Sequence, residues 1–156
     1  MSKSVVDQSN YAKERDISPL SIAIFVLSIV GVLVSAYLTY AHYTEATVLA
    51  CPETGIINCA KVTTSAQSHF LGMPVAVLGL VFYVAFAGVN FPTLARSRRL
   101  DALRFAMSGG SVLFILWLIY AELVLINNIC LWCSVVHFVT LVIFFANVYR
   151  FTTERG

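Results

Sequence analysis

The chain has 156 residues, 59% of them hydrophobic and only 12% charged, with a formal net charge of +2. A soluble domain carries roughly 25% charged residues, so the composition excludes an ordinary globular protein. No basic stripe alternates with aromatics, which leaves nothing to support nucleic-acid binding.

Charges sit in short stretches separated by apolar runs. The first run, Pro19 to Tyr40, contains no charged residue. About 20 helical residues cross a hydrocarbon core of roughly 30 Å. This run is too long for the apolar core of a signal peptide, and no small-residue cleavage pattern follows it. A connection of 33 residues comes next (41–73), longer than connections usually are without a function. Its tail, Thr63 to Leu71, is expected to form a short helix against the bundle mouth. Pro74 suits the first turn of the second run, 74–91, where its missing N–H costs nothing. The third run, 105–126, is interrupted only by Glu122. Asn127 and Asn128 form a turn, and the fourth run is 131–149. The predicted fold is one all-α integral membrane domain over 1–156, a bundle of four transmembrane helices, with no internal repeat.

Lysine and arginine predict the orientation. Lys3, Lys13 and Arg15 precede the first span, Arg96, Arg98, Arg99 and Arg104 lie between the second and third, and Arg150 and Arg155 follow the fourth. Only Lys61 falls in the 41–73 loop. By the positive-inside rule both termini are cytoplasmic, and the 41–73 loop and the 127–129 turn are extracytoplasmic. The expected location is a cell's inner (plasma) membrane, crossed several times and bathed in its lipid.

All four cysteines fall on the outer side, where disulfides form and persist. Cys130 and Cys133 form Cys-Leu-Trp-Cys at the start of the fourth span. The first sulfur then lies by backbone N–H groups without intrahelical partners, at the positive end of the helix dipole. Both effects favour thiolate, the form that attacks disulfides. Cys51 and Cys59 bracket a flexible segment, Pro-Glu-Thr-Gly-Ile-Ile-Asn, which suits a relay to a soluble partner. Two other readings remain open: structural disulfides bracing an outer loop, and a four-thiolate zinc site, for which the spacing of Cys51 and Cys59 is poor.

His137 follows Cys133 by four residues on the same helical face, where an imidazole could hydrogen-bond a ligand oxygen or move a proton; a bond to another helix is the equal alternative. Glu122, an ionisable residue within a span, marks a candidate site, although it could also reach water. Trp132 reads as an interfacial anchor. Gly79, Gly88, Gly109 and Gly110 read as packing positions. His42, Glu45 and His69 read as loop surface. Phe82, Tyr83, Phe86, Phe114, Trp117 and Tyr120 supply aromatic surface for an apolar pocket without identifying one.

Cys51 and Cys59, then Ser65, Gly72-Met73-Pro74, Gly79 and Tyr83, with Cys-x-x-Cys opening the last span, form a pattern that resembles the vitamin K epoxide reductase family in its bacterial form. The likeness runs from Ser35-Ala36-Tyr37-Leu38 to Cys133. The other four-helix quinone-linked disulfide oxidase family carries Cys-x-x-Cys in its first outer loop instead. The resemblance implies an enzyme, a quinone-dependent thiol oxidoreductase. Cys130 and Cys133 would be the active pair, with Cys133 facing the quinone. Cys51 would take electrons from a reduced thioredoxin-like partner through a mixed disulfide, and Cys59 would exchange with Cys130. Ser65 stands at the family's loop serine near the active site, and Ser65, Tyr83, Glu122 and His137 join Cys133 as candidate quinone-side residues. The acceptor is expected to be menaquinone or ubiquinone, the partner a separate extracytoplasmic oxidase, and no metal is implied. Some relatives carry a fused thioredoxin-like domain that is not seen here. The vertebrate enzymes have a tyrosine where this chain has His137 and an asparagine where it has Val75; both departures favour plain quinone reduction over epoxide reduction. A membrane scaffold with structural disulfides is the alternative of another class.

Overall fold

A computed structural model describes residues 18–44, 48–94 and 97–155, with Arg98, Glu154 and Arg155 by backbone alone. Lys3, Lys13, Arg15, Arg96 and Glu45 lie outside the described residues, so much of the charge pattern that predicts orientation does too.

Helix α1 spans Pro19–Tyr43. The Ser18 hydroxyl accepts the Ser21 N–H at 3.2 Å, and Pro19 occupies the first helical position, a pairing that suits a helix start. Its buried residues are Ser21, Ile24, Ser28, Gly31, Ser35, Leu38 and Ala41, a stripe of mostly small side chains that lets a neighbour approach closely. The buried Ser28 hydroxyl donates to its own helix at the Ile24 carbonyl, 2.7 Å away.

The connection after α1 holds a five-residue helix, α2 (Cys59–Thr63), a 3₁₀ turn (Ala66–Ser68), and a small hairpin of β1 (His69–Phe70) and β2 (Met73–Pro74). The helix expected over Thr63–Leu71 is therefore not formed. Leu71 and Gly72 both take positive φ, 52° and 81°. Such a pair builds a tight hairpin turn and cannot continue a right-handed helix.

Helix α3 spans Val75–Val89, with Pro74 just before its first turn. At 1.5 Å per residue it is roughly 22 Å long, shorter than the predicted run. Asn90 stops it, its side-chain amide donating to the Phe86 carbonyl at 2.9 Å, and Pro92 follows. Helix α4, Asp101–Tyr120, runs on through a π-helical segment, Ala121–Ile126. Asn127 ends it in the left-handed conformation, which asparagine tolerates better than most residues. Helix α5 spans Leu131–Arg155.

Three stretches are long and apolar enough to cross a membrane, Pro19–Tyr43, Asp101–Ile126 and Leu131–Thr153, and α3 is a shorter apolar helix. Their outward faces are apolar. Leu33 on α1, Val81 on α3, Leu113 on α4 and Phe138 and Phe145 on α5 are all more than 60% exposed. Apolar surface on that scale suits lipid rather than water.

Arg104, counted above with the loop charges, is buried in the first turns of α4. Its guanidinium donates to the carbonyls of Val89 and Leu94 (2.8 and 2.7 Å) and to Asp101 (2.7 Å), which also meets Arg150 of α5 at 3.2 Å. It therefore caps α3 and ties three helices together at the end away from the cysteines.

Helix α1 packs along α3 and α5, while α3 and α4 touch little. The Tyr83 ring lies against Gly31, and its hydroxyl meets the Thr140 hydroxyl (2.8 Å) and donates to the Val136 carbonyl (3.2 Å). With Ile24, Phe86, Val139 and Ile143 it forms one core cluster; Leu38, Cys59, Val62 and Cys130 form a second at the cysteine end.

Candidate functional site

Cys51 and Cys59 form a disulfide, and Cys130 and Cys133 are free thiols. Disulfide sulfurs are not thiolate ligands, so as paired here Cys51 and Cys59 do not form half of a four-thiolate zinc site. The segment between Cys51 and Cys59 is folded rather than loose. Thr54 and Ile57 exchange backbone hydrogen bonds (3.1 and 2.8 Å) around Gly55 at φ +52°, a conformation that costs glycine little.

This turn is joined to the opposite connection. The Ile129 N–H donates to the Ile56 carbonyl at 2.9 Å, and the Asn58 N–H donates to the Ile129 carbonyl at 3.2 Å. Asn58 also caps α2, its side-chain oxygen accepting the Lys61 N–H at 2.8 Å. Cys59 and Cys130, the residues after Asn58 and Ile129, are both fully buried and share one cluster.

Cys130 precedes the first turn of α5. The Cys133 thiol and the Cys133 backbone N–H, the latter at 3.4 Å, both hydrogen-bond its sulfur. Those bonds hold the Cys130 thiol below its ordinary pKa, against burial and the nearby Glu122 carboxylate, which act the other way. The helix start thus stabilises negative charge on this sulfur.

Cys133 is half-buried and lines a cavity of about 410 Å³ between the helices, within the roughly 300–1,000 Å³ of small-molecule sites. The walls are mostly apolar, with Leu38, Leu78, Phe82, Phe114 and Ile115 among them. Ser65, Tyr83, Glu122, Cys133 and His137 all border it. Ser65 holds its own loop, its hydroxyl donating to the Val62 carbonyl at 2.8 Å. The Tyr83 hydroxyl is engaged with α5 as described above. Glu122 lies in the π-helical segment, its carboxyl against the Cys130 backbone N–H. His137, buried one turn beyond Cys133, makes no hydrogen bond to any described residue. Val75 is also in the wall.

His42, read above as loop surface, lies instead in the last turn of α1 and borders the cavity, its Nδ1 3.1 Å from the Thr63 carbonyl, while His69 is exposed as expected and stacks edge to face on it at 5.1 Å.

A profile of the vitamin K epoxide reductase family matches residues 22–148. The chain belongs to the vitamin K epoxide reductase family. Members of this family are oxidoreductases, and the family is associated with membrane disulfide and quinone redox chemistry. The cavity fits a quinone ring in chemistry: it is apolar, and a thiol, a carboxyl and an imidazole border it.

Two residues not singled out for this by sequence hold the chain just before Cys51. Trp132, read as a membrane anchor, donates its indole N–H to the Ala50 carbonyl at 3.0 Å. Tyr37 donates its hydroxyl to the Val48 carbonyl (2.8 Å) and accepts the Ala50 N–H (2.9 Å). The signal available was position: Trp132 sits inside Cys-x-x-Cys, and Tyr37 sits in the Ser-Ala-Tyr-Leu stretch.

Proposed function

We propose that this protein is a quinone-dependent thiol oxidoreductase. It reoxidises a separate thioredoxin-like partner outside the cell and passes the electrons through Cys51/Cys59 and Cys130/Cys133 to a quinone. One observation carries the reading. The inner pair bridges two environments, with Cys130 buried beside Cys59 and Cys133 facing the apolar cavity.

A partner thiolate attacks Cys51, the half-buried member of the outer disulfide, and Cys59 leaves as thiolate. The partner's second thiol resolves the mixed disulfide and departs oxidised. The Cys59 thiolate then attacks Cys130 of the inner disulfide, and Cys133 is released. Cys51 displaces Cys130 from Cys59, so the outer disulfide reforms and the inner pair is left reduced. Outer pair oxidised and inner pair reduced is the state that precedes electron transfer to the acceptor.

A bound quinone supplies a two-electron, two-proton acceptor. Ser65, Tyr83, Glu122, Cys133 and His137 border the space that would hold it. As the inner disulfide reforms, two protons must leave the thiols. Glu122, beside both sulfurs, and His137, one turn from Cys133, are the groups placed to move them. The active end faces the extracytoplasmic side of an inner membrane, with both termini cytoplasmic. Substrate stays in water, quinone stays in lipid, and the bundle joins them.

The test is quinone reduction by purified protein with a reduced thioredoxin-like donor or a small dithiol. Cys133→Ala should abolish turnover with both, and Cys51→Ala should abolish it with the protein donor alone. No quinone reduction by the wild type, with disulfides that resist the donor, would make the cysteines structural.

A further inference from the structure

The geometry points to Tyr37 and Trp132 as positioning residues that clasp the chain beside Cys51 and so hold the Cys51–Cys59 pair in reach of Cys130. This rests on the relay proposed above. Ala50, immediately before Cys51, has both its backbone polar groups taken by side chains of the long helices. Its N–H goes to the Tyr37 hydroxyl of α1 at 2.9 Å, and its carbonyl accepts from the Trp132 indole of α5 at 3.0 Å. The two rings meet edge to face with centroids 5.0 Å apart. The Tyr37 hydroxyl also donates to the Val48 carbonyl at 2.8 Å, so it grips this segment at two points.

This clasp complements the backbone stitch through Ile129. The stitch fastens the chain next to Cys59, and the clasp fastens it next to Cys51. Between them Pro52 to Ile56 are exposed. The loop is thus held at both ends and open to a partner in the middle. Such an arrangement raises the effective concentration of Cys59 at Cys130 by removing the chain freedom that exchange would otherwise have to overcome. In that exchange the Cys59 thiolate forms a bond to Cys130 as the Cys130–Cys133 bond breaks, and Cys133 takes the electron pair. Trp132 lies within the inner pair itself, in the first turn of α5 and two residues from the exchanging Cys130.

The experiment uses the full chain carrying Cys51→Ala and Cys133→Ala, which leaves Cys59 and Cys130 as its only cysteines. Equilibration with glutathione and its disulfide measures the effective concentration of one sulfur at the other. We expect a Cys59–Cys130 disulfide to form readily. Adding Tyr37→Phe and Trp132→Phe, which leave an aromatic ring at each position and remove the three hydrogen bonds, should lower the effective concentration at least tenfold with the thermal midpoint nearly unchanged. Each substitution alone should give a smaller loss. An effective concentration unaffected by the two substitutions overturns the positioning role while leaving the relay intact. A parent that forms no disulfide between Cys59 and Cys130 overturns the relay, and the inference with it. If the quadruple variant unfolds, the single substitutions decide: neither shifting the value overturns the role.

Discussion

The Asn58 N–H donates to the Ile129 carbonyl across 3.2 Å, and each of these residues stands immediately before a cysteine, Cys59 and Cys130. Two cysteines 71 positions apart in sequence are thereby brought to one buried cluster by a backbone bond. Asn58 is also the cap of α2, whose first residue is Cys59. Asn58→Ala should cost about 1 kcal/mol at this cap and let the start of α2 fray. Quinone reduction with the protein donor should slow several-fold, while turnover with a small dithiol should change less than twofold. Equal slowing with both donors would mean that the substitution damages the inner site instead.

Cys130 should titrate below the ~8.5 of a free thiol, because the Cys133 thiol and backbone N–H stabilise its charged form. The sign follows directly: a lowered pKa keeps thiolate populated as pH falls into the range where an ordinary thiol is protonated. Thiolate absorbance, measured with Cys51 and Cys59 replaced by serine, should show this midpoint. Cys133→Ala removes the largest stabilising contact and should move the midpoint upward. A midpoint that does not move would assign the effect to the helix start alone.

Glu122→Gln keeps the shape of the side chain and removes its capacity to exchange a proton. Positioned acid–base groups are worth about 100-fold or more, and quinone turnover should fall by about that factor. Trapping of the partner on Cys51 should be unaffected. Unchanged turnover would leave Glu122 as a structural group of the π-helical segment.

Gly31→Ala drives a methyl group into the buried Tyr83 ring, and such overpacking costs about 1–3 kcal/mol. Gly88→Ala has open space at the same position and should leave the thermal midpoint within about a degree or two of wild type. A Gly31→Ala protein as stable as wild type would show that α1 and α3 pack less closely than described.

Composition and spacing carried much of this architecture. Charge-free runs mark the helices because lipid excludes unpaired charge, and the Cys-x-x-Cys at a helix start was visible because spacing fixes its place on the first turn. Two features were hidden because they depend on tertiary contacts. The fold of the 41–73 connection turns on positive-φ residues at Leu71 and Gly72 and on a backbone stitch to Ile129, neither of which has a periodic signature. Arg104 was counted as a loop charge, since nothing local tells that its guanidinium finds carbonyls of α3 and of the connection after it. The contact of Trp132 was out of reach for a related reason: a tryptophan at a membrane edge usually meets headgroups, and only the folded chain brings the Ala50 carbonyl to its N–H.

The central claim is that the inner pair alone reduces the acceptor, and it has a direct measurement. Protein with Cys51 and Cys59 replaced by serine is fully reduced, freed of reductant, and mixed anaerobically with excess quinone. One equivalent of quinol per protein should appear, together with a Cys130–Cys133 disulfide identified by mass spectrometry. Quinone left unreduced, with both thiols still free, would contradict the account.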